Sequence, residues 1–139
     1  MTADLNLRED EMQATGRRFT AALAERDFGG LQAVFHPGVR SRLLTPSGLM
    51  TPLDAKGLID KYRQWFGKAT FFEVRRADVN YVGRRLRIFY QILLQDGDGW
   101  SVVEQQAYGN LDNSRIERFD LMCSGFEPAL APKEGGNDY

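Results

Sequence analysis

Glu104, Gln106 and Tyr108 alternate along the run Trp100 to Tyr108, bringing a carboxylate, a carboxamide and a phenol to one side of a strand. Those are the groups of an acid–base site. A carboxylate in an apolar setting has its pKa raised by desolvation and can exchange a proton near neutral pH, and a phenol can donate to a substrate oxygen. The run lies between the Asp96-Gly-Asp-Gly99 turn and the Asp112-Asn-Ser114 turn, so Trp100, Val102, Glu104, Gln106 and Tyr108 share a face. Glu104 is read as the base or acid, Tyr108 as the oxygen-directed donor beside it, and Gln106 as a positioning and ligand-binding group. The same face turned outward would leave Glu104 solvated or paired with an arginine across a strand.

Phe19, Tyr62 and Trp65 are expected to form the apolar wall of such a pocket, with Tyr90 as a further ligand-binding phenol. Aromatic residues at helical spacing are more often core than ligand contacts, and buried tyrosines more often bond to their surroundings. Cys123 alternates with Phe119 and Leu121 and reads as a small buried apolar residue. His36 precedes Pro37 and suits a helix end. With one cysteine and one histidine, no intrachain disulfide and no His/Cys metal cluster is expected, and the reading includes no metal and no cofactor.

The composition sets further bounds. The 139 residues carry 18 basic and 19 acidic side chains, a net charge of −1. The arginines cluster at Arg75-Arg76 and Arg84-Arg85-Arg87, but the balance of acids favours a solvated strand end over a nucleic-acid surface. No basic or hydrophobic leader and no apolar run of membrane length is read, so a cytoplasmic protein with neither nucleic-acid nor membrane partner is expected.

These residues need a scaffold. Met12, Phe19 and Leu23 recur at helical spacing and predict a helix over 7–26 capped by Asn6; Asp27 restarts a short helix over 28–35 that His36-Pro37-Gly38 ends. A short strand over 39–45 and a Pro-Ser-Gly turn follow. Thr51-Pro52-Leu53-Asp54 reads as a cap and first turn for a helix of about fifteen residues, with Leu58, Ile59, Tyr62, Trp65 and Phe66 as its stripe and Gly67 as its stop. From Thr70 the period changes to two, predicting strands near 70–82, 85–95, 100–111 and 115–126 joined by tight turns into an antiparallel meander. Residues 1–127 are read as one domain and 128–139 as a mobile tail.

Residues 18–28 running into Leu31-Gln-Ala-Val-Phe-His-Pro37, and later Arg115-Ile-Glu-Arg-Phe119, resemble the nuclear transport factor two-like superfamily of SnoaL-like cyclases and ketosteroid isomerases. That resemblance implies an α+β fold, a cone-shaped curved antiparallel sheet with three helices from the N-terminal half covering its concave face. It also implies a cavity for a small apolar or polycyclic molecule, with acid–base isomerisation, cyclisation or hydrolysis of a carbonyl or epoxide compound; a non-catalytic ligand-binding or dimeric assembly domain is the alternative. The isomerase pattern calls for a tyrosine where this chain has Phe19 and for acids where it has about Leu43 and Gln106, so none of the three is retained. A homodimer is expected through the outer sheet face, argued from Val103, Ala107 and either Ile116 or Met122.

Overall fold

The computed structural model describes residues 2–52, 54–97 and 99–132, with side chains described from Arg8 onward. The last seven residues of the expected tail lie outside the described residues. The first helix, α1 (Thr2–Ala24), buries Met12, Thr15, Phe19 and Leu23, so Asn6 lies inside the helix rather than capping it. Gly16 is on the same stripe: a Cβ there would come within 2.3 Å of Val79 Cγ1, so the helix approaches the sheet at a distance only glycine permits. Arg26 then turns the chain with a positive φ of 50°, and its guanidinium donates to the carbonyls of Phe66 and Ala69, tying the end of α1 to the end of the third helix.

Asp27 caps α2 (Phe28–Ala33) by accepting from the Gly30 amide. The helix stops earlier than the sequence suggests, because His36-Pro37-Gly38 is already part of β1 (Phe35–Thr45). Pairing is irregular between Phe35 and Arg40, where the proline has no amide to donate. A short β2 (Gly48–Met50), not foreseen, folds back on β1 across a Pro-Ser turn. The next helix, α3 (Ala55–Phe66), is capped by Asp54 through the Gly57 amide, not by Thr51.

The meander follows with the expected turns: β3 (Phe71–Val82), β4 (Arg85–Asp96), β5 (Gly99–Asp112) and β6 (Arg115–Cys123). A two-residue β7 (Glu127–Pro128) then pairs with β5, so the segment after Phe126 begins in the sheet. The strand order is β2-β1-β6-β5-β4-β3, every pair antiparallel except β1 with β6, which runs parallel. The three helices cover one face and the core lies between: Phe19, Phe35, Tyr62, Phe66, Tyr90 and Phe119 are all buried there. This is an α+β fold with a curved, unclosed sheet. Gly109 lets β5 pass close to β6, since a Cβ would meet Ile116 Cγ2 at 3.1 Å and the Arg118 carbonyl at 3.2 Å, and the register slips beside it between Asn110 and Leu111.

Candidate functional site

Alternation in β4 and β5 decides what faces the cone. Leu86, Ile88, Tyr90, Ile92 and Leu94 point inward from β4, and Val103, Gln105, Ala107 and Gly109 point inward from β5. Glu104, Gln106 and Tyr108 therefore stand on the opposite, outer face. This corrects the expectation that they line the cone with Phe19, Tyr62 and Tyr90. The small, weakly apolar set Val103, Gln105, Ala107 and Gly109 is the core face. The reason is room: helices packed into a curved sheet leave space for small side chains there, while Phe19, Tyr62 and Phe66 fill the volume from the helices.

Within the cone Tyr62, Tyr90, Gln105 and Cys123 form a hydrogen-bonded chain. Tyr62 and Tyr90 hydroxyls are 2.8 Å apart, Tyr90 donates to Gln105 Oε1 at 2.5 Å, and Gln105 Nε2 donates to Cys123 Sγ at 3.4 Å. The thiol also accepts from the Gly125 amide. Burial pushes both phenols above their ordinary pKa, so they are neutral groups. Phe19 meets Tyr62 edge-on and Tyr90 at a tilt, at centroid distances of 6.1 and 5.9 Å, and Trp65 packs edge-to-face with Tyr62 at 5.2 Å. The structure thus brings Phe19, Tyr62, Trp65 and Tyr90 together as expected, but as interlocked aromatic packing. No carboxylate or imidazole is among the buried residues described. Gln105 was missed by sequence reasoning; the signal available was one amide between Val103 and Ala107 on a strand whose inward residues are otherwise small and apolar.

Concave spaces lie outside this packing. A cleft of about 560 Å³ is lined by Met50, Trp65, Phe126 and the 45–48 turn, with Cys123 in its wall. A groove of about 580 Å³ crosses the outer face, where Glu104, Gln106, Tyr108 and Asp120 meet Leu44, Phe89 and Met122.

The outer face is ordered in rows by the strand registers. Asp78, Phe89, Gln106, Met122, Leu44 and Leu49 are successive partners across the sheet. Leu44, Leu49 and Met122 of that row are 43%, 61% and 61% exposed, which is a cluster of aliphatic side chains in water rather than scattered ones. One row to one side holds Arg87, Tyr108, Asp120 and Arg42, and beyond it lie Arg85, Arg118 and Arg40. Asp120 binds Arg42, Arg85 and Arg118 at 2.7, 2.9 and 3.5 Å. Burial raises its pKa, but the hydrogen bonds from Arg42 and Arg85 and the nearby positive charge outweigh that and hold it below the usual value. Asp120 and Arg118 thus pair within one chain. On the other side of the aliphatic row, Gln91 Nε2 donates to Glu104 Oε2 at 2.9 Å, and Glu73 and Glu127 flank Leu93 and Val102. Tyr108 accepts from Gln106 Nε2 at 3.0 Å, and Arg87 reaches Gln106 Oε1 and Asp78.

Val103, Ala107 and Ile116, from which the dimer surface was argued, are buried under the helices. The aliphatic surface on the outer face comes instead from Leu44, Leu49 and Met122. Among the described residues no group of His, Cys, Asp and Glu is placed to hold a metal ion, and no helix is long and apolar enough to cross a membrane.

No family model and no curated protein matches the chain. Solved structures do. An NTF2-like protein of unknown function from Burkholderia pseudomallei superposes with a TM-score of 0.63 at 18% identity, covering 80% of this chain and 88% of that one. A putative ketosteroid isomerase from Kribbella flavida gives 0.62 at 15% identity over 91% and 85%. An LEH-like epoxide hydrolase from M. tuberculosis gives 0.62 at 14% identity over 84% of each. With its three helices on the concave face of a curved sheet, the chain has the NTF2-like fold.

Proposed function

We infer that this chain is a non-catalytic assembly domain that pairs with a second copy through the outer face of its sheet. The observation that carries this is the row of Leu49, Leu44 and Met122, exposed side by side on a sheet face while the cone is filled by its own aromatic side chains. Burying such a row against its own copy removes apolar surface from water on both sides, and a self-complementary patch closes as a two-fold dimer. The neutral Tyr62, Tyr90 and Gln105 chain supplies no proton acceptor of carboxylate strength inside the cone, which favours a structural role for it. A cytoplasmic setting belongs to this reading, with Cys123 as a free, buried thiol. The test is sedimentation equilibrium at micromolar concentration. A dimer is expected for the native chain, and Leu44→Glu and Met122→Lys should each yield a folded monomer; a native monomer at that concentration rejects the reading.

A second reading is favoured by the groove itself. Glu104, Gln106 and Tyr108 converge there beside apolar side chains, within the volume range of small-molecule sites of about 300–1,000 Å³. A small, mostly apolar carbonyl or epoxide compound would be isomerised, cyclised or hydrolysed with Glu104 as the base and Tyr108 as the donor. The likeness in fold to a putative ketosteroid isomerase and an epoxide hydrolase is compatible with that chemistry. Once a substrate turns over, Glu104→Gln should lower turnover about a hundredfold or more; turnover unchanged within twofold rejects it.

A further inference from the structure

We propose that the two-fold axis of the assembly lies along the Leu44, Met122 and Gln106 row, across the strands, so that Tyr108 of each copy stands opposite Glu104 of the other. The inference rests on the reading of the outer face as a self-association surface and adds its orientation. Two sheets packed face to face by a two-fold axis must have that axis in the plane between them. An axis running along the strands would set each row over its own copy. Arg42, Arg85, Arg87, Arg118 and Arg40, five guanidinium groups against the two carboxylates of Asp120 and Asp78, would then face the same five. Like charges brought together in a partly dry interface oppose association. An axis along the aliphatic row avoids this. It sets Leu44 and Met122 against their own copies and places the arginine rows over the side of the face that carries Glu104, Glu73 and Glu127, whose three carboxylates outnumber the guanidinium groups of Arg75, paired with Glu73, and Arg76, beside Gln91.

The pairing of Tyr108 with Glu104 follows from their places on β5. Both point outward, two residues on either side of Gln106, roughly 7 Å along the strand in each direction. A two-fold axis through Gln106 exchanges the two positions. Their hydrogen-bonding states are complementary. The Tyr108 oxygen accepts from Gln106, and among the described residues its own proton has no acceptor. Glu104 accepts from Gln91 through Oε2, and among the described residues Oε1 has no donor. Each copy therefore offers a free donor and a free acceptor at the two positions that the axis exchanges, and the second copy completes both.

Single cysteines placed in a Cys123→Ser background test the orientation, since serine keeps an acceptor for Gly125 and Gln105. Joined by a short bismaleimide, Gln106→Cys should cross-link to itself. Glu104→Cys and Tyr108→Cys should each fail to do so alone and cross-link when the two variants are mixed. If the background does not fold, a photoreactive benzophenone side chain at the same positions, with the cross-linked residue mapped by mass spectrometry, gives the same readout. In the native chain, Tyr108→Phe and Glu104→Gln should each weaken dimerisation about three- to tenfold, and the double variant should be no weaker than the worse single one. Self-linking at Tyr108 or Glu104, or additive losses, in a chain that sediments as a dimer overturns the orientation and leaves the dimer standing. A native monomer in sedimentation removes the dimer and the orientation together.

Discussion

Tyr62 donates its hydroxyl proton to Tyr90, and the direction follows from the next bond. Tyr90 gives its own proton to the Gln105 carbonyl oxygen, which has none to return, so the proton between the two phenols belongs to Tyr62.

That direction makes the two tyrosines unequal. Tyr90→Phe strands a buried donor on Tyr62 and a buried acceptor on Gln105 and should cost about 1–3 kcal/mol per orphaned group. Tyr62→Phe leaves the Tyr90 to Gln105 bond in place and should cost about 0.5–1.5 kcal/mol. Urea unfolding of the two variants checks the order; equal losses would mean the chain runs the other way. Because burial raises both phenol pKa values, the folded chain holds protons that the unfolded chain releases near pH 10. Stability is therefore unaffected below about pH 10 and falls as pH rises past it, and the double Phe variant should show a flatter alkaline limb.

Two glycines should respond with opposite sign. Gly16→Ala improves helix propensity by about 1 kcal/mol but drives a methyl group into Val79, whose short branched side chain cannot swing clear. A net loss of about 1–3 kcal/mol is expected, relieved in the Gly16→Ala, Val79→Ala double variant. Gly29 in α2 has nothing closer than the Asp27 carboxylate at 3.8 Å, so Gly29→Ala should raise stability by about 0.5–1 kcal/mol. Thermal midpoints report both.

Asp120 carries a pH signature. Its folded pKa is lowered, so the stability it confers is present above its unfolded value of about 3.9 and is lost as pH falls through the lower folded value. Asp120→Asn should therefore destabilise the chain at pH 7, where Arg42, Arg85 and Arg118 lose their shared carboxylate, and the gap to the native chain should narrow at pH 3. Denaturant midpoints at the two pH values measure it; a gap of the same size at both would remove the ion cluster from the stability of the fold.

Three of the four long strands were legible in the sequence to within a residue at each end, and the fourth ends at Cys123 rather than 126, because alternation and Gly- or Asn-bearing turns are local signals. The helices were legible as stripes, but the cap of α3 fell to Asp54 rather than Thr51. What alternation does not reveal is which of two faces is inside. Trp100, Val102 and Tyr108 make the Glu104 face look the more apolar, yet in a concave sheet the inward positions are the cramped ones, and Gln105, Ala107 and Gly109 fit there. The parallel pairing of β1 with β6 joins segments far apart in the chain and has no local signature.

That parallel seam also orders events in time. β3 to β6 can zip up through hairpins of a few residues, whereas β1 meets β6 only across an intervening helix and four strands, β2 to β5. Closing so long a loop is entropically costly and is rewarded late. The meander should thus be the first part to become protected in refolding and the β1 amides the last, and native-state opening should begin at the β1–β6 seam. The core would then be entered by parting its slowest-formed join, not through its hairpins.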